Sequence, residues 1–249
     1  MRALVHSSTL VTAGVYVLIR YCFLDSLSLL YVGALTILLA GVRACIERDL
    51  KKIVALSTLS QLGVIIVSLG LMEKSYCFYH LISHALFKAL LFLCVGSNIH
   101  IIYGTQDFRS LTLSPTIFVS LFSAVSIISL LGFLFTSGFY SKEQILESIY
   151  DNEVEGSFVF FFLLGIGLTT SYRIKMLITT ILKGTYARSA NISQGGFGWP
   201  VKIPLIVLGS ARIVYGVVVG EFCRVLQVPL ISYDKYTPLL VVVSGIVAG

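Results

Sequence analysis

The stretch that decides the fold is Ser75-Tyr-Cys-Phe-Tyr-His80-Leu-Ile-Ser-His84-Ala-Leu-Phe-Lys88-Ala-Leu-Leu-Phe-Leu-Cys-Val-Gly96-Ser-Asn-Ile-His100. It is apolar over more than the length that crosses a bilayer, which is about 20 residues. His80, His84 and Lys88 recur in it at every fourth position, so on a helix they share one face. A charged lysine at mid-membrane costs about 2.5–3.5 kcal/mol and usually faces a bundle interior or a water-filled cavity. The stretch therefore predicts a transmembrane helix with a line of titratable groups, a pattern typical of proton relays.

An alternative for Lys88 is that its side chain extends to the lipid headgroups. From Ser75 to Gln106 Lys88 is the one Asp, Glu, Lys or Arg residue, so neither end of the apolar stretch is close to it. The sequence therefore favours a buried position for this lysine.

The bulk composition indicates a polytopic membrane protein. Of the 249 residues 57% are hydrophobic and 12% are charged, with a mean hydropathy of +0.94, whereas soluble domains carry about 25% charged residues. The basic residues that give a net charge of +6 lie at the ends of the apolar spans, which the positive-inside rule explains without nucleic acid. The five cysteines are scattered without a CxxC or Cys/His spacing, which argues against a disulfide framework, a zinc site or an iron–sulfur site.

The hydropathy pattern predicts an all-α bundle of about 7–8 transmembrane helices. Small residues in the second span, Gly33, Ala34, Ala40 and Gly41, suit close helix packing. The predicted spans are Ala3–Ile19, Ser26–Val42, Ile53–Leu71, the stretch 75–100, the run 110–141, Ser157–Tyr172, Ile203–Val219 and a start at Tyr236–Gly249.

The run from Ser110 to Ser141 contains no charged residue. As one helix it would be roughly 48 Å long, against a hydrocarbon core of about 30 Å. Gly132 and Thr136-Ser137-Gly138 interrupt it, so we predict a broken helix with halves at Pro115–Leu134 and from Phe139, the break lying near 134–140. Such a break is tolerated only where protein or a water-filled cavity surrounds it.

Lys142 and Glu143 follow the predicted break directly, at a depth where water would give a lysine a partner for proton exchange. In the alternative interpretation these two residues merely mark the end of the span, because Glu147 and Asp151 come next.

The distribution of Lys and Arg predicts the topology. Eleven lie on the side where the chain starts and four on the other, which assigns the first side to the matrix or cytoplasm. The link Glu147–Gly156, rich in acidic residues, then faces the opposite compartment. The eleven are Arg2, Arg43, Arg48, Lys51, Lys52, Arg109, Arg173, Lys175, Lys183, Arg188 and Lys202, and the four are Arg20, Lys74, Arg224 and Lys235.

Five motifs resemble, in order, those of a known membrane family. The family is the antiporter-like subunits shared by complex I (NADH:ubiquinone oxidoreductase) and multisubunit sodium/proton antiporters. Gln106–Arg109 and Gly138–Glu143 resemble the mitochondrial subunit 5 branch most. The motifs are His6-Ser-Ser-Thr-Leu-Val-Thr-Ala-Gly-Val, Asp49-Leu-Lys-Lys-Ile-Val-Ala-Leu-Ser-Thr-Leu-Ser-Gln-Leu-Gly63, His80-Leu-Ile-Ser-His84-Ala-Leu-Phe-Lys88-Ala, Gln106-Asp-Phe-Arg109 and Gly138-Phe-Tyr-Ser-Lys142-Glu.

The resemblance implies two inverted five-helix repeats, each with a broken helix and a half-channel. Residues 1–20 would be the last helix of the first repeat, 21–183 the second repeat, and 184–249 additional C-terminal helices. The proton-translocation residues it implies are Lys88 as the central lysine, His80 and His84 as relay members, His6 as the bridge to the first repeat, and Lys142 at the broken helix. Glu143 stands where the family usually has Asp.

The implied function is proton translocation across the inner mitochondrial membrane within complex I. The resemblance places NADH, FMN, iron–sulfur clusters and ubiquinone on other subunits and leaves no redox site on this chain. The expected partners are other membrane-arm subunits, a separate chain that supplies the missing first half, and the lipid bilayer, but no nucleic acid. Two alternatives stay open: a component of a multisubunit cation/proton antiporter, and a purely structural membrane scaffold.

Overall fold

The structure is a computed structural model that describes residues 10–21, 27–101, 107, 117–133, 136–152, 154–186 and 198–225. Within these ranges the regular elements are helices, which confirms the predicted all-α class. In chain order they are α1 (Val11–Tyr21), α2 (Leu27–Ile46), α3 (Leu50–Gly70), α4 (Lys74–Ile101), α5 (Ile117–Leu131), α6 (Ser137–Asp151), α7 (Gly156–Tyr186) and α8 (Trp199–Val225).

Four helices in the described part are long and apolar enough to cross a membrane: Leu27–Ile46, Leu50–Gly70, Lys74–His100 and Gly156–Thr180. Val11–Tyr21 and Phe118–Leu131 are shorter apolar helices. The span predicted to begin at Tyr236, and His6 in the first span, lie outside the described residues.

The predicted boundaries of the last two described spans are wrong. Helix α7 passes the predicted end at Tyr172 and continues to Tyr186, because apolar residues resume after Arg173 and Lys175 and keep the helix in the bundle. Helix α8 begins at Trp199 and ends at Val225, so it extends beyond the predicted span Ile203–Val219 at both ends, and Pro204 lies inside it.

The predicted break in the fifth span is confirmed, slightly earlier than 134–140, because α5 ends at Leu131 and α6 begins at Ser137. Gly132 has a φ of +77°, in the left-handed region that glycine adopts without a steric penalty. A Cβ atom on Gly138 would overlap the carbonyl oxygen of Ser129, so glycine here lets the first turn of α6 approach the end of α5.

Small residues set the distance between α2 and its neighbours. The four predicted packing residues of α2 are all buried. A Cβ atom on Gly33 would lie 2.9 Å from the carbonyl oxygen of Gly63 on α3, and one on Gly41 would lie 3.0 Å from Cβ of Leu168 on α7. Close backbone approach of this kind is how membrane helices gain van der Waals contact.

Helix α4 is the centre of the bundle, since it packs against α1, α3, α5, α6 and α8. Residues 80–95 of this helix are buried or half-buried, and this position brings its polar residues against the broken helix.

Candidate functional site

Lys88 lies fully inside the bundle. Its side chain is 0% exposed, and Nζ donates to the carbonyl oxygen of Val54 at 3.2 Å and to Oγ of Ser57, both on α3. Both acceptors are neutral. The alternative in which Lys88 reaches the headgroups does not fit this geometry, because the amine ends against α3.

His80 connects α4 to the broken helix. Its Nδ1 lies 2.9 Å from Oγ of Ser141 on α6, and Oγ of Ser83 lies 3.4 Å from the same hydroxyl. Ser141 immediately precedes Lys142, so this cluster joins the histidine line on α4 to the lysine at the break.

His84 lies between His80 and Lys88 on the same face of α4. It is fully buried, and neither ring nitrogen has a hydrogen-bond partner among the residues that the structure describes. The Nε2 atom of His80 and the Oε1 atom of Gln61 are in the same situation. Buried polar atoms are normally hydrogen-bonded to protein or to water, so these positions suit bridging waters.

Lys142 reaches back to the break. Side chains on a helix tilt towards its N-terminus, and Nζ of Lys142 donates to the carbonyl oxygen of Leu130 in the last turn of α5. Its side chain is half-buried, in contrast to the enclosed Lys88. A Cβ atom on Gly132 would lie 3.5 Å from this Nζ, so the open backbone of the break runs directly beside the amine.

The end of α5 explains why a lysine is held there. The last carbonyls of a helix have no partner within it and carry the negative end of the helix dipole. Two of these carbonyl oxygens accept hydrogen bonds from backbone N–H groups of the break. Phe133 donates to Ile128 at 3.3 Å, and Gly132 donates to Ser129 at 3.1 Å. The carbonyl oxygen of Leu130 instead accepts hydrogen bonds from side chains.

Arg173 is the functional candidate that sequence reasoning missed. It was counted as a span-end charge, yet it is 1% exposed in the middle of α7 and its guanidinium donates to the same carbonyl of Leu130 that binds Lys142. The signal that could have revealed it is the apolar sequence Ile174 to Ile178, interrupted only by Lys175, which shows that the span does not end at Arg173.

The structure therefore brings together four of the six predicted site residues: His80, His84, Lys88 and Lys142. Glu143 is half-buried on α6 next to Lys142, and His6 lies outside the described residues. Within the described ranges no group of three or more His, Cys, Asp or Glu side chains is arranged to hold a metal ion.

A model of the NADH:quinone oxidoreductase/Mrp antiporter transmembrane family matches residues 1–169, which include all six predicted site residues. The chain belongs to this family. That match decides the family because it covers more than half of the chain.

The curated relatives agree with this family. The chain is 42% identical over 224 residues to NADH-ubiquinone oxidoreductase chain 5 of Anopheles gambiae, a match that covers 86% of this chain and 38% of the relative. It is 49% identical over 156 residues to the protein of the same name in Artemia franciscana, covering 59% of this chain and 28% of the relative. The chain thus spans well under half the length of these relatives.

A solved structure shows the same fold. A chain of the membrane-bound sulfane sulfur reductase, an archaeal respiratory membrane complex, superposes with a TM-score of 0.75 at 23% identity. The match covers 98% of this chain and 50% of that chain. The fold of this chain is therefore also found in a chain of that archaeal complex.

Proposed function

We propose that this chain is part of a membrane-arm subunit of respiratory complex I and carries one segment of its proton-translocation path across the inner mitochondrial membrane. The observation that supports the proposal most is the buried line of bases on α4 that leads from Lys88 to the break beside Lys142. The names of the curated relatives favour complex I over a multisubunit cation/proton antiporter.

Lys88 is the central proton carrier in this proposal. Its amine is held by neutral oxygens of α3, so it can exist with or without its proton and no fixed partner holds the charge. Its burial means that protons reach it through groups inside the bundle and not from bulk water.

His84 and His80 transfer protons between Lys88 and Lys142. An imidazole can accept a proton on one nitrogen and release one from the other, which suits a relay. Neither ring nitrogen of His84 has a protein partner among the described residues, so a water can bridge it on each side. His80 passes the proton on to the hydroxyl of Ser141 on α6.

Lys142 is the exit group of this segment. It is half-buried beside open backbone, where water can take its proton. The link after α6 faces the intermembrane space in the predicted topology, so protons leave in that direction. Glu143 adds a carboxylate beside this exit, and His6 connects the segment to the first repeat.

NADH oxidation and quinone reduction take place elsewhere in the complex in this account. NADH, FMN, iron–sulfur clusters and ubiquinone bind other subunits, and this chain contributes no redox site. Other membrane-arm subunits, a separate chain that supplies the first repeat, and the surrounding lipids are its partners.

The function is tested by Lys88→Met in assembled complex I. Methionine fills a similar volume but carries no proton, so the rate of coupled proton pumping at matched complex content should fall by about 10²-fold where transfer through Lys88 becomes limiting. Lys51→Met, an exposed lysine at the start of α3, is the matched control and should pump normally. Pumping at the wild-type rate in assembled Lys88→Met would contradict the proposal.

A further inference from the structure

Arg173 and Lys142 share one acceptor, the carbonyl oxygen of Leu130. Because each donor atom lies within hydrogen-bond distance of that oxygen, the two cationic groups are no more than about 6 Å apart. Two positive charges at this distance in a largely enclosed site repel each other strongly, while the carbonyl dipole holds both.

The two side chains differ in what they can do with a proton. An arginine stays protonated at every working pH, whereas a lysine amine can lose its proton. Arg173 is therefore a permanent charge on α7, and Lys142 is the partner that can relieve the repulsion by becoming neutral.

We infer that Arg173 is a positioning residue for proton release: it anchors the freed end of α5 and places a fixed positive charge beside Lys142, which drives the proton off the lysine ammonium. In that step the N–H bond of the ammonium breaks, the proton passes to a water molecule at the break, and the neutral amine keeps its lone pair. The inference rests on the proposed function of Lys142 as the exit group.

The remaining donors of Arg173 support a hydrated break. Its Nε and NH2 atoms are buried and have no hydrogen-bond partner among the described residues. Buried donors of this kind are normally hydrogen-bonded to water. Water bound by the guanidinium would lie beside Leu130, close to the amine that releases the proton.

Other charged or titratable groups lie on the helices near Lys142. The test must distinguish their effect on Lys142 from that of Arg173. Helix α5 carries none between Ile117 and Leu131. Arg173 differs from the others because it contacts the same carbonyl as Lys142. On α4, His80, His84 and Lys88 interact electrostatically with Lys142. The neighbouring helical segments also include Glu143 and Glu147 on α6 and Arg212 on α8.

The test measures proton pumping per NADH oxidised as a function of pH in membranes with matched complex content, for Arg173→Gln, Arg173→Lys and Lys175→Gln. Without the fixed charge Lys142 keeps its proton to higher pH, so the pH of half-maximal pumping should rise by about one unit in Arg173→Gln. Arg173→Lys should assemble with a profile between Arg173→Gln and wild type, because that lysine can itself lose the charge. Lys175→Gln, which removes an exposed charge from the same helix, should keep the wild-type profile.

The result that overturns the inference is a wild-type profile in assembled Arg173→Gln, or in Arg173→Lys where the glutamine variant assembles poorly. Lys142→Gln, measured in parallel, separates this failure from failure of the proposed function. If Lys142→Gln loses pumping while both Arg173 variants keep the wild-type profile, only the role of Arg173 is wrong. If Lys142→Gln pumps normally, the exit role itself is wrong.

Discussion

At the scale of single residues, the site consists of bases whose partners are neutral oxygens. Lys88 donates to Val54 and Ser57, and Lys142 donates to Leu130. A neutral acceptor stabilises both the charged and the uncharged lysine, whereas a paired carboxylate would favour the charged form. This choice of partners suits groups that change protonation state during turnover.

The relay role of His84 can be separated from a packing role. His84→Ala should slow pumping about tenfold or more per assembled complex, since a proton-transfer group is lost. His100→Ala, an exposed histidine at the end of the same helix, is the control and should pump normally. The measurement is pumping rate per assembled complex. If His84→Ala lowers only the amount of complex, and each complex pumps normally, the residue serves packing.

At the scale of elements, the broken helix depends on two glycines with different tasks. Gly132 supplies the left-handed backbone that turns the chain out of α5, and Gly138 lets α6 start against Ser129. The break exposes the carbonyl of Leu130, so its geometry decides where Lys142 can bind.

Gly138→Ala should therefore destabilise the segment. The added methyl group would overlap the carbonyl oxygen of Ser129 and push the halves apart, at a cost of about 1–3 kcal/mol. Gly96→Ala has open space around the new Cβ atom and should be neutral or slightly stabilising. The Tm of the purified complex measures the difference, and equal Tm values for the two variants would show that the close approach is unimportant.

The sequence was sufficient to predict the elements that hydropathy and glycine placement define. The period of four residues in His80, His84 and Lys88 predicted their shared face, and the uncharged run from Ser110 to Ser141 predicted a break. The acceptors of these residues could not be predicted, because the contacts of Lys88 with α3 and of Arg173 with α5 depend on how distant segments pack. The domain boundaries at residues 20 and 183 remain predictions.

At the scale of the whole molecule, proton exit at Lys142 requires α6 to end on the side opposite to the start of α3. This follows from the excess of Lys and Arg on one side, which remains when the buried Arg173 is left out of the count. Lys51→Cys and Asp151→Cys, both at exposed positions, should react with a membrane-impermeant maleimide from opposite faces of oriented vesicles. The unsubstituted chain reports labelling of the native cysteines. Labelling of both new cysteines from one face would contradict the topology.

The helices also place the two lysines in different environments along one path. Lys88 is enclosed by the packing of α4 against five neighbours, whereas Lys142 lies half-buried where the broken helix opens. In the proposed path protons reach the enclosed Lys88 only through groups inside the bundle and leave from the half-buried Lys142. The release step at Lys142 is therefore the step on which the account depends most.

The most direct test of that step is the ratio of protons pumped to NADH oxidised in membranes containing complex I with Lys142→Arg, at matched complex content. Arginine keeps the positive charge and can still donate to the carbonyl of Leu130, but it does not release a proton. If Lys142 is the exit group, the complex should assemble and its pumping ratio should fall severalfold or more. A pumping ratio near that of the wild type would contradict it.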